Sequence, residues 1–339
     1  MKTAFITGIS GQDGAYLAKL LLEKGYKVIG GDRRTASGSL WRLAELGLEK
    51  ELEIIDFELA EITNILRALE KYEVDEVYNL AAQSFVAASF EMPIMTSDIT
   101  GMGVVRILEA IRKINPNIKF YQASTSEMFG KAQEIPQSEQ TPFYPRSPYG
   151  VAKLYAHWMT INYRESYNIF AVSGILFNHE SPLRGVEFVT RKITNGLTKI
   201  KLGQQDILEL GNLNAKRDWG FAGDFVNGMY LMMQHSTPDT FVLSTGESHS
   251  IKEFINLSCE YLDINVEWEG EGLQTRCINK INGKTIIKIN PKFYRPAEVD
   301  QLLGNSSKAR EILNWKNETS FAHLVEMMVK SDLSKNSKV

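Results

Sequence analysis

Short apolar runs alternate with amphipathic segments along the first half of the chain. Residues 4–7 are an apolar run that leads into a glycine-rich turn, and residues 15–24 carry apolar side chains at helical spacing before Gly25. These patterns predict a buried strand and then a helix that ends at a glycine cap. The alternation continues with predicted strands at 26–30, near 52–55, at 76–80 and at 119–123, and with predicted helices at 62–71 and 103–113.

This regular alternation predicts the fold class. Parallel strands joined by helices form right-handed crossovers, and the result is a parallel sheet that helices cover on both faces. After about Phe177 the pattern becomes irregular, with polar turns, short helices and a glycine-containing extended stretch at 270–289. We therefore predict an α/β fold: a Rossmann-like, doubly wound parallel sheet formed by 1–177 and about 217–245, with a smaller, mostly C-terminal substrate-binding lobe formed by 178–216 and 246–339.

Composition and charge narrow the functional classes. The 339 residues suffice for about two structural units. The 38 basic and 41 acidic residues leave a net charge of −3, without the global basic field that attracts nucleic acid. No apolar run approaches the roughly 18 residues of a membrane span. The only cysteines are Cys259 and Cys277, so neither a disulfide framework nor a cysteine zinc site is expected. We expect a cytoplasmic protein with no metal, membrane or nucleic-acid partner.

The turn after the first predicted strand has the spacing of a dinucleotide-binding site. Gly8 permits a tight turn, Gly11 lets backbone N–H groups approach a pyrophosphate, and Gly14 allows the helix to pack closely. The positive end of the following helix faces the anion. Because strand, glycine spacing and helix agree, we predict that this turn binds a dinucleotide cofactor. Its other candidate residues are Ser10, Gln12 and Asp13.

The end of the second predicted strand bears on which dinucleotide binds. Asp32 is placed to accept hydrogen bonds from a ribose 2′-hydroxyl, which favours NAD. Arg33 and Arg34 follow immediately and can hold a 2′-phosphate, which favours NADP. The two arginines outweigh the aspartate only modestly, so NADP is the preferred prediction and NAD stays open.

Tyr149 and Lys153 are four residues apart and share one face of a predicted helix. A nearby ammonium favours the phenolate, so we expect Lys153 to lower the pKa of Tyr149. Tyr149 is then a candidate general base, and Lys153 is also able to hold a nicotinamide ribose. Ser124 and Thr125, at the end of a predicted strand, together with the dinucleotide turn, make a chance occurrence of this pair improbable.

These patterns together resemble the extended, sugar-nucleotide-modifying branch of the short-chain dehydrogenase/reductase superfamily, and more specifically the GDP-mannose 4,6-dehydratases. The resemblance covers essentially the whole chain in family order. Its Gln-Asp and Asn-His-Glu-Ser-Pro pieces separate this family from generic epimerases. The matching segments are 7–14 (TGISGQDG), 79–84 (NLAAQS), 123–130 (ASTSEMFG), 145–153 (PRSPYGVAK), 177–185 (FNHESPLRG), 217–220 (RDWG) and 293–300 (FYRPAEVD).

The resemblance implies a redox-neutral reaction. In this family bound NADP⁺ takes a hydride from the sugar C4 while a tyrosine removes the 4-hydroxyl proton. A carboxylate then removes the C5 proton, water leaves from C6 and the hydride returns there. By this resemblance Tyr149 acts at the 4-hydroxyl, Glu127 is the base at C5, and Thr125 hydrogen-bonds the reacting 4-oxygen. Glu127 is the most diagnostic residue, because a plain dehydrogenase needs no base at this position.

The resemblance also implies binding roles and assembly. Besides 8–14, the implied cofactor-binding residues are Arg33, Arg34, Glu58, Leu59, Leu80, Ala81, Ala82, Ser84, Lys153, His179 and Arg184. The implied sugar-nucleotide-binding residues are Ser84, Thr125, Asn178, Lys192, Arg217, Arg295 and Glu298. The arginine pair and the following Thr35, Ser37 and Ser39 resemble a segment that reaches a neighbouring subunit's cofactor. A homo-oligomer, either a tetramer or a dimer, is therefore implied.

Three alternatives stay open. The same 4,6-dehydration of another GDP-sugar, such as a GDP-manno-heptose, would use the same catalytic residues. A C4 epimerase or reductase would leave C6 unchanged and would give Glu127 no task. A catalytically silent sugar-nucleotide-binding protein is the least favoured, because all four candidate catalytic residues are present.

Overall fold

The computed structural model describes residues 1–35, 40–294, 297, 299 and 301–338. The strands are β1 Thr3–Thr7, β2 Lys27–Asp32, β3 Glu53–Asp56, β4 Glu76–Asn79, β5 Lys119–Thr125, β6 Ala171–Leu176, β7 Asn178–Glu180, β8 Leu208–Leu210, β9 Lys216–Arg217, β10 Trp219–Phe221, β11 Thr240–Leu243, β12 His249–Ser250, β13 Val266–Glu269, β14 Arg276–Asn279 and β15 Thr285–Ile289. The α-helices are α1 Gln12–Glu23, α2 Trp41–Glu45, α3 Ile62–Tyr72, α4 Val86–Glu91, α5 Pro93–Thr96, α6 Gly103–Ile114, α7 Pro148–Tyr167, α8 Val189–Lys201, α9 Ala222–Gln234, α10 Ile251–Tyr261, α11 Ser307–Leu313 and α12 Phe321–Asn336. A π-helical stretch, Ser97–Met102, joins α5 to α6. Across the described ranges, no helix has both the length and the apolarity that a membrane crossing requires.

The core of the fold is a seven-stranded parallel sheet in the order β11-β6-β5-β4-β1-β2-β3. Helices cover both faces of this sheet, and every residue of β1 is buried. Helices α1 and α9 pack on one face around Leu17, Leu21 and Met229. Helices α3, α6 and α7 pack on the other face around Leu69 and Ile107. The predicted α/β fold with a Rossmann-like doubly wound sheet is confirmed, and its direction reverses between β1 and β4.

The first helix illustrates how local sequence sets an element's ends. α1 begins at Gln12, earlier than predicted, directly after Gly11, which takes an extended conformation as the N-cap. It ends at Glu23. Gly25, with a φ of 79°, donates its N–H to the Leu22 carbonyl at 2.9 Å. A left-handed glycine after the last helical turn satisfies an otherwise unpaired carbonyl, so the predicted glycine cap is confirmed.

The later segments form a smaller layer. Strands β13, β14, β15 and β8 make a four-stranded sheet in which only the β15–β8 pair is parallel. Helices α8, α10 and α12 pack against it around Leu197, Phe254, Ile287 and Met328. Strand β7 follows β6 directly and pairs in parallel with β10, while β9 pairs with β12. These two short ladders place the smaller layer beside the carboxyl edge of the large sheet.

Helix α11 packs on the large sheet. Ala309, Leu313 and Trp315 belong to the same apolar cluster as α1 and α9, and Trp315 Nε1 donates to the Asp224 carbonyl at 2.8 Å. This differs from the predicted assignment of all of 246–339 to the smaller lobe. The physical reason is that the apolar side chains after residue 306 meet complementary apolar surface on α9, which sequence spacing alone does not reveal. The remaining domain bounds stay a prediction.

Candidate active site

The glycine turn between β1 and α1 is shaped to take an anion. Gly8 has a φ of 69°, a left-handed conformation that favours glycine. A Cβ on Gly14 would overlap the Gly8 carbonyl oxygen and lie 2.7 Å from Ile9 Cα, so only glycine lets α1 approach the turn this closely. Gly11 caps α1 without a side-chain hydrogen bond to the first N–H groups, which face outward at the positive helix end. The turn therefore fits the pyrophosphate of a dinucleotide.

A buried row of polar side chains crosses β1, β4 and β5 beside this turn. The Thr7 hydroxyl donates to Asn79 Oδ1 at 2.8 Å, and Asn79 Nδ2 donates to Gln122 Oε1 at 2.8 Å. The Thr7 hydroxyl oxygen also accepts the N–H groups of Leu80 and Ala81, each at 3.1 Å. These contacts fix the chain as it leaves β4. The predicted cofactor-binding residues there are Leu80, Ala81, Ala82 and, exposed before α4, Ser84.

The end of β2 carries the residues predicted to select the dinucleotide. The Ser10 hydroxyl donates to Asp32 Oδ1 at 2.8 Å, which ties the aspartate to the glycine turn. Arg33 and Arg34 follow it and are exposed. An aspartate and two arginines therefore lie together at the position expected for an adenosine ribose.

Glu58 and Leu59 lie just beyond β3, at the same carboxyl edge of the sheet. The Glu58 N–H donates to Asn64 Oδ1 at 2.9 Å. Leu59 is buried against Gly103, where a Cβ would lie 3.1 Å from Leu59 Cβ. Both residues are thus at the edge where a dinucleotide would lie, and their contact with adenine stays a prediction.

Three of the candidate catalytic residues converge at the carboxyl end of β5. Thr125 is the last residue of β5, and its Oγ1 accepts the Glu127 N–H at 3.3 Å. The side chains of Thr125 and Glu127 both influence the titration of the Tyr149 phenol: Thr125 lowers its pKa and the charge of Glu127 raises it. All three residues are buried, so the groups are held in a small, largely water-excluded region.

The fourth candidate, Lys153, lies one turn further along α7. This helix starts after Ser147, whose hydroxyl accepts the Gly150 N–H at 3.0 Å and so fixes the helix start. Tyr149 and Lys153 are both on the buried face of α7, as their spacing predicts. The Lys153 ammonium donates to the Ala123 carbonyl on β5 at 2.7 Å.

Burial dominates the titration of Tyr149 and Lys153. It raises the pKa of Tyr149, and this effect exceeds the lowering of the pKa by the Thr125 side chain. It lowers the pKa of Lys153 to about 8, against the opposing charge of Asp13. The expected net lowering of the Tyr149 pKa is therefore wrong for this structure, because the net direction is upward. The Lys153 Nζ lies 5.9 Å from the Tyr149 ring centroid, and removing the phenol from water has the larger effect.

Strand β7 brings the predicted cofactor residues His179 and Arg184 to the glycine turn. His179 Nε2 lies 2.8 Å from Asp13 Oδ2, and Gln12 Nε2 donates to the His179 carbonyl at 3.1 Å. Arg184 Nε lies 3.1 Å from Glu180 Oε2. Two segments that are far apart in the sequence, the turn and the chain after β6, therefore form one edge of the site.

The predicted sugar-nucleotide-binding residues lie towards the smaller layer. Asn178 Oδ1 is buried and has no hydrogen-bond partner among the described residues, which makes it available to a ligand. Lys192 is half-buried on α8, with its Nζ 3.4 Å from the Phe293 ring centroid. Arg217 is buried on β9, and its Nη1 donates to the Lys216 carbonyl at 2.8 Å. The predicted residues that lie outside the described ones are Arg295, Glu298, Ser37 and Ser39.

Sequence reasoning missed Arg42, which joins the two edges of the site. From α2, its Nε donates to the Leu183 carbonyl at 2.7 Å and its Nη1 donates to the Ser10 carbonyl at 3.0 Å. The guanidinium thus bridges the glycine turn and the chain before Arg184. No local sequence signal marks this residue, because both partners belong to other segments.

Sequence reasoning also missed a buried ion pair that supports the segment around Arg184 from the side of α8. Arg191 on α8 pairs with Asp332 on α12 at 2.6 Å, and both side chains are buried. Its Nη1 donates to the carbonyls of Pro182 at 2.6 Å and Arg184 at 3.0 Å. A buried ion pair therefore holds the backbone on which Arg184 is presented.

Comparison with known proteins finds relatives along the whole chain. The model of a family described as GDP-mannose 4,6 dehydratase matches residues 5–328. The chain is 49% identical over 340 residues to the GDP-mannose 4,6-dehydratase of Sinorhizobium fredii (strain HH103), which covers 98% of this chain and 97% of that one. It is 50% identical over 343 residues to the GDP-mannose 4,6 dehydratase of Cricetulus griseus, with 98% and 91% covered.

Solved structures share the fold at lower identity. The dTDP-glucose 4,6-dehydratase from Bacillus anthracis str. Ames, in complex with NAD, has a TM-score of 0.81 at 20% identity, covering 100% of this chain and 98% of that one. RMD from Pseudomonas aeruginosa, complexed with NADPH, has a TM-score of 0.77 at 19% identity, covering 98% and 100%. These likenesses concern the fold, and they agree with the parallel seven-stranded sheet.

Proposed function

The chain belongs to the GDP-mannose 4,6-dehydratase family, and from this premise we propose that it converts GDP-mannose into GDP-4-keto-6-deoxymannose with loss of one water. The observation that supports this most strongly is the convergence of Thr125, Glu127 and Tyr149 at the end of β5. A 4,6-elimination needs one base for a hydroxyl and another for a carbon acid. In simple C4 oxidation the second base, Glu127, would have no task.

The proposed reaction assigns each residue a separate role. A bound nicotinamide ring would supply reversible hydride transfer: it would accept a hydride from C4 and later return it to C6. Tyr149 removes the proton of the 4-hydroxyl, and the Thr125 hydroxyl holds the 4-oxygen. Glu127 would remove the C5 proton that the new ketone acidifies and pass it to the C6 hydroxyl, which leaves as water. When hydride adds at C6, C5 would take up the proton that Tyr149 removed from the 4-hydroxyl. The net change is the loss of water, so no cofactor is consumed.

Tyr149 needs a nearby positive charge to act as a base, because its burial favours the neutral phenol. Lys153 lies on the same helix face, with its ammonium 5.9 Å from the Tyr149 ring centroid. In the proposed mechanism this ammonium favours the phenolate, as an opposite charge at about 4–6 Å does. The same group is placed to hold the nicotinamide ribose.

Incubation of the purified protein with GDP-mannose, without added reductant, tests the proposed reaction. We expect a product lighter by one water in the mass spectrum and no net change in nicotinamide absorbance. A product of unchanged mass would indicate epimerisation, and net NAD(P)H turnover would indicate a reductase. Water loss from a GDP-manno-heptose but not from GDP-mannose would retain the reaction and change the substrate.

We propose NADP as the nicotinamide cofactor. The hydrogen bond from Ser10 occupies one oxygen of Asp32, while Arg33 and Arg34 are exposed beside it and can pair with a 2′-phosphate. Replacing both arginines, Arg33→Ala with Arg34→Ala, should raise the Kd of NADP about 100-fold and that of NAD much less, because only NADP loses charge-assisted hydrogen bonds. Isothermal titration with both dinucleotides measures this. Equal losses for the two would contradict the assignment.

We propose that the protein assembles as a homo-oligomer, a dimer or a tetramer. Helix α7 exposes Val151, Tyr155 and Trp158, and the adjoining helical stretch exposes Met95 and Met102. Contiguous exposed apolar side chains of this size usually mark an interface. Light scattering should give a mass of two or four chains, and Trp158→Glu should reduce it. A monomeric wild type would contradict the proposal.

A cytoplasmic location of the protein stays a prediction.

A further inference from the structure

We propose that Asp13 and His179 form a charged latch that positions both edges of the active site. The latch holds the glycine turn of β1–α1 against the chain after β6, from which Asn178 and Arg184 are presented. Both residues then act as positioning residues through protein contacts made by their side chains. This inference rests on the proposed function only in its choice of NADPH as a probe.

The contacts of the His179 ring require a doubly protonated imidazole. Nδ1 lies 2.7 Å from the Phe177 carbonyl oxygen, which can only accept a hydrogen bond, so Nδ1 carries a proton. Nε2 lies 2.8 Å from Asp13 Oδ2, and an ionised carboxylate also only accepts. Because both ring nitrogens donate, the ring is an imidazolium, and the pair is a charge-assisted ion pair.

The ring is fixed by packing as well as by these bonds. Phe225 stacks on His179 with a centroid distance of 4.6 Å and an interplanar angle of 17°. Strand pairing places Gly220 opposite His179, and a Cβ on Gly220 would overlap the Phe225 ring. The absence of a side chain at Gly220 thus allows Phe225 to cover the imidazolium. Since Gly220 lies on β10, the latch also adjoins the strand that follows Arg217.

Gln12 adds a second contact between the same two segments. Its Nε2 donates to the His179 carbonyl at 3.1 Å, and its Oε1 accepts the Ser181 hydroxyl at 2.7 Å. The side chains of Gln12 and Asp13 therefore both point to the chain after β6, while their backbone N–H groups remain at the start of α1. These contacts join the Gln-Asp piece of the turn to the Asn-His-Glu-Ser-Pro piece after β6.

The latch depends on pH, because it needs both a charged His179 ring and an ionised Asp13 carboxylate. Burial opposes the charged His179 ring, but the charge and hydrogen bond of Asp13 outweigh it, so the pKa of His179 is raised. Burial also opposes the Asp13 carboxylate, but His179 lowers the pKa of Asp13 to about 2. The stabilisation is therefore fully present below the ordinary histidine pKa and above the ordinary Asp pKa. It is lost as pH rises through the raised pKa of His179, and also as pH falls through the Asp13 pKa of about 2. The other charged or titratable groups that face the pair are Arg184, Arg42, Lys153, Tyr149 and Tyr121.

The protonation state of the wild-type ring is the first test. Histidine-selective NMR should show His179 as an imidazolium at neutral pH, with deprotonation above the ordinary histidine pKa of about 6.5. A neutral His179 ring at neutral pH would overturn the proposal regardless of any variant. This measurement needs no sugar nucleotide, so its outcome is separate from that of the dehydration assay.

Variants test whether the charge positions the two segments. In Asp13→Asn and His179→Gln we expect NADPH to bind about tenfold more weakly, because each variant loses a charge-assisted hydrogen bond. The fluorescence of NADPH measures its binding. The wild-type affinity should fall as pH rises through the His179 pKa, and both variants should lack this dependence. The control His323→Gln, at an exposed site, should stay within about twofold.

Hydrogen exchange separates positioning from loss of folding. In both variants, amide protection should fall at 8–14 and 178–184 while thermal unfolding of the remaining chain is retained. Unchanged protection, or NADPH affinity that keeps its wild-type pH dependence, would show that the pair does not position the site.

Discussion

The two ends of the seven-stranded sheet both bury charged and polar groups, but they satisfy them differently. At the amino end, the buried Glu76 carboxylate accepts hydrogen bonds from Lys2 Nζ at 2.9 Å, Tyr26 at 3.1 Å and Tyr78 at 2.9 Å. Gln234 Nε2 adds a further contact at 3.3 Å. Protein donors therefore satisfy both oxygens of this buried carboxylate, and we call this network closed.

At the carboxyl end the polar groups are only partly satisfied by the protein. Asn178 Oδ1 is buried without a hydrogen-bond partner among the described residues, and burial shifts the pKa values of Tyr149 and Lys153 in opposite directions. A closed polar network holds a fold together, whereas an open one is available to a ligand. The contrast between Glu76 and Asn178 teaches that two groups can be equally buried and still differ in whether the protein satisfies their hydrogen bonds, which is the property that bears on ligand binding.

The largest expected effect comes from removing a reacting group at the open end. Tyr149→Phe should lower kcat for dehydration by about 10²–10⁴-fold, because the 4-hydroxyl loses its base. NADPH affinity and the unfolding temperature should stay near those of the wild type, since the ring still packs in α7. Steady-state kinetics and calorimetry check this. If the variant kept normal dehydration, Tyr149 would not be the base.

A change at the closed end should lower stability and leave kcat unchanged, the reverse of Tyr149→Phe. In Glu76→Gln, the donors from Lys2, Tyr26 and Tyr78 meet an uncharged amide, so the free energy of unfolding should fall by about 2 kcal/mol. The kcat of the folded protein should be unchanged. Urea unfolding measures the loss, and Glu49→Gln, at an exposed position, serves as the matched control. A drop in kcat without a loss of stability would break the distinction between the two ends.

The most gradual effect is a pH dependence at the open end, because it is spread over more than two pH units. Because burial lowers the pKa of Lys153 to about 8, the unfolded chain binds more protons than the folded one between that pH and the ordinary lysine pKa. Wild-type stability should therefore rise relative to Lys153→Met, by at most about 1.4 kcal/mol per pH unit, as pH increases through this window. Urea unfolding of both proteins from about pH 7 to pH 10 measures it. A constant difference would show that Lys153 is not desolvated.

Much of the fold was predictable because its signals are local. The glycine spacing at 8–14, the cap at Gly25 and the apolar runs of β1 and β5 each reflect backbone geometry or burial within a few residues. The Tyr149–Lys153 pair was predictable for the same reason, since helical spacing alone places both on one face of α7. These are the parts of the site that the structure places as expected.

The rest depends on contacts between distant segments. Arg42 and the Arg191–Asp332 pair have no recognisable spacing, because their partners are set by the tertiary fold. The direction of the Tyr149 pKa was predicted wrongly for a related reason. A lysine four residues away is visible in the sequence, whereas the depth at which a helix is buried is not.

The contact between Arg191 and Asp332 also has a consequence for the order in which the chain folds during synthesis. The two residues are 141 positions apart, so a growing chain exposes Pro182 and Arg184 long before Asp332 has been made. At a synthesis rate of about 5–20 residues per second, this delay is on the order of ten seconds. The parallel sheet can form during that interval, whereas the backbone around Arg184 gains its support only afterwards. We therefore expect the protein to become able to bind a nucleotide only late in its synthesis and folding.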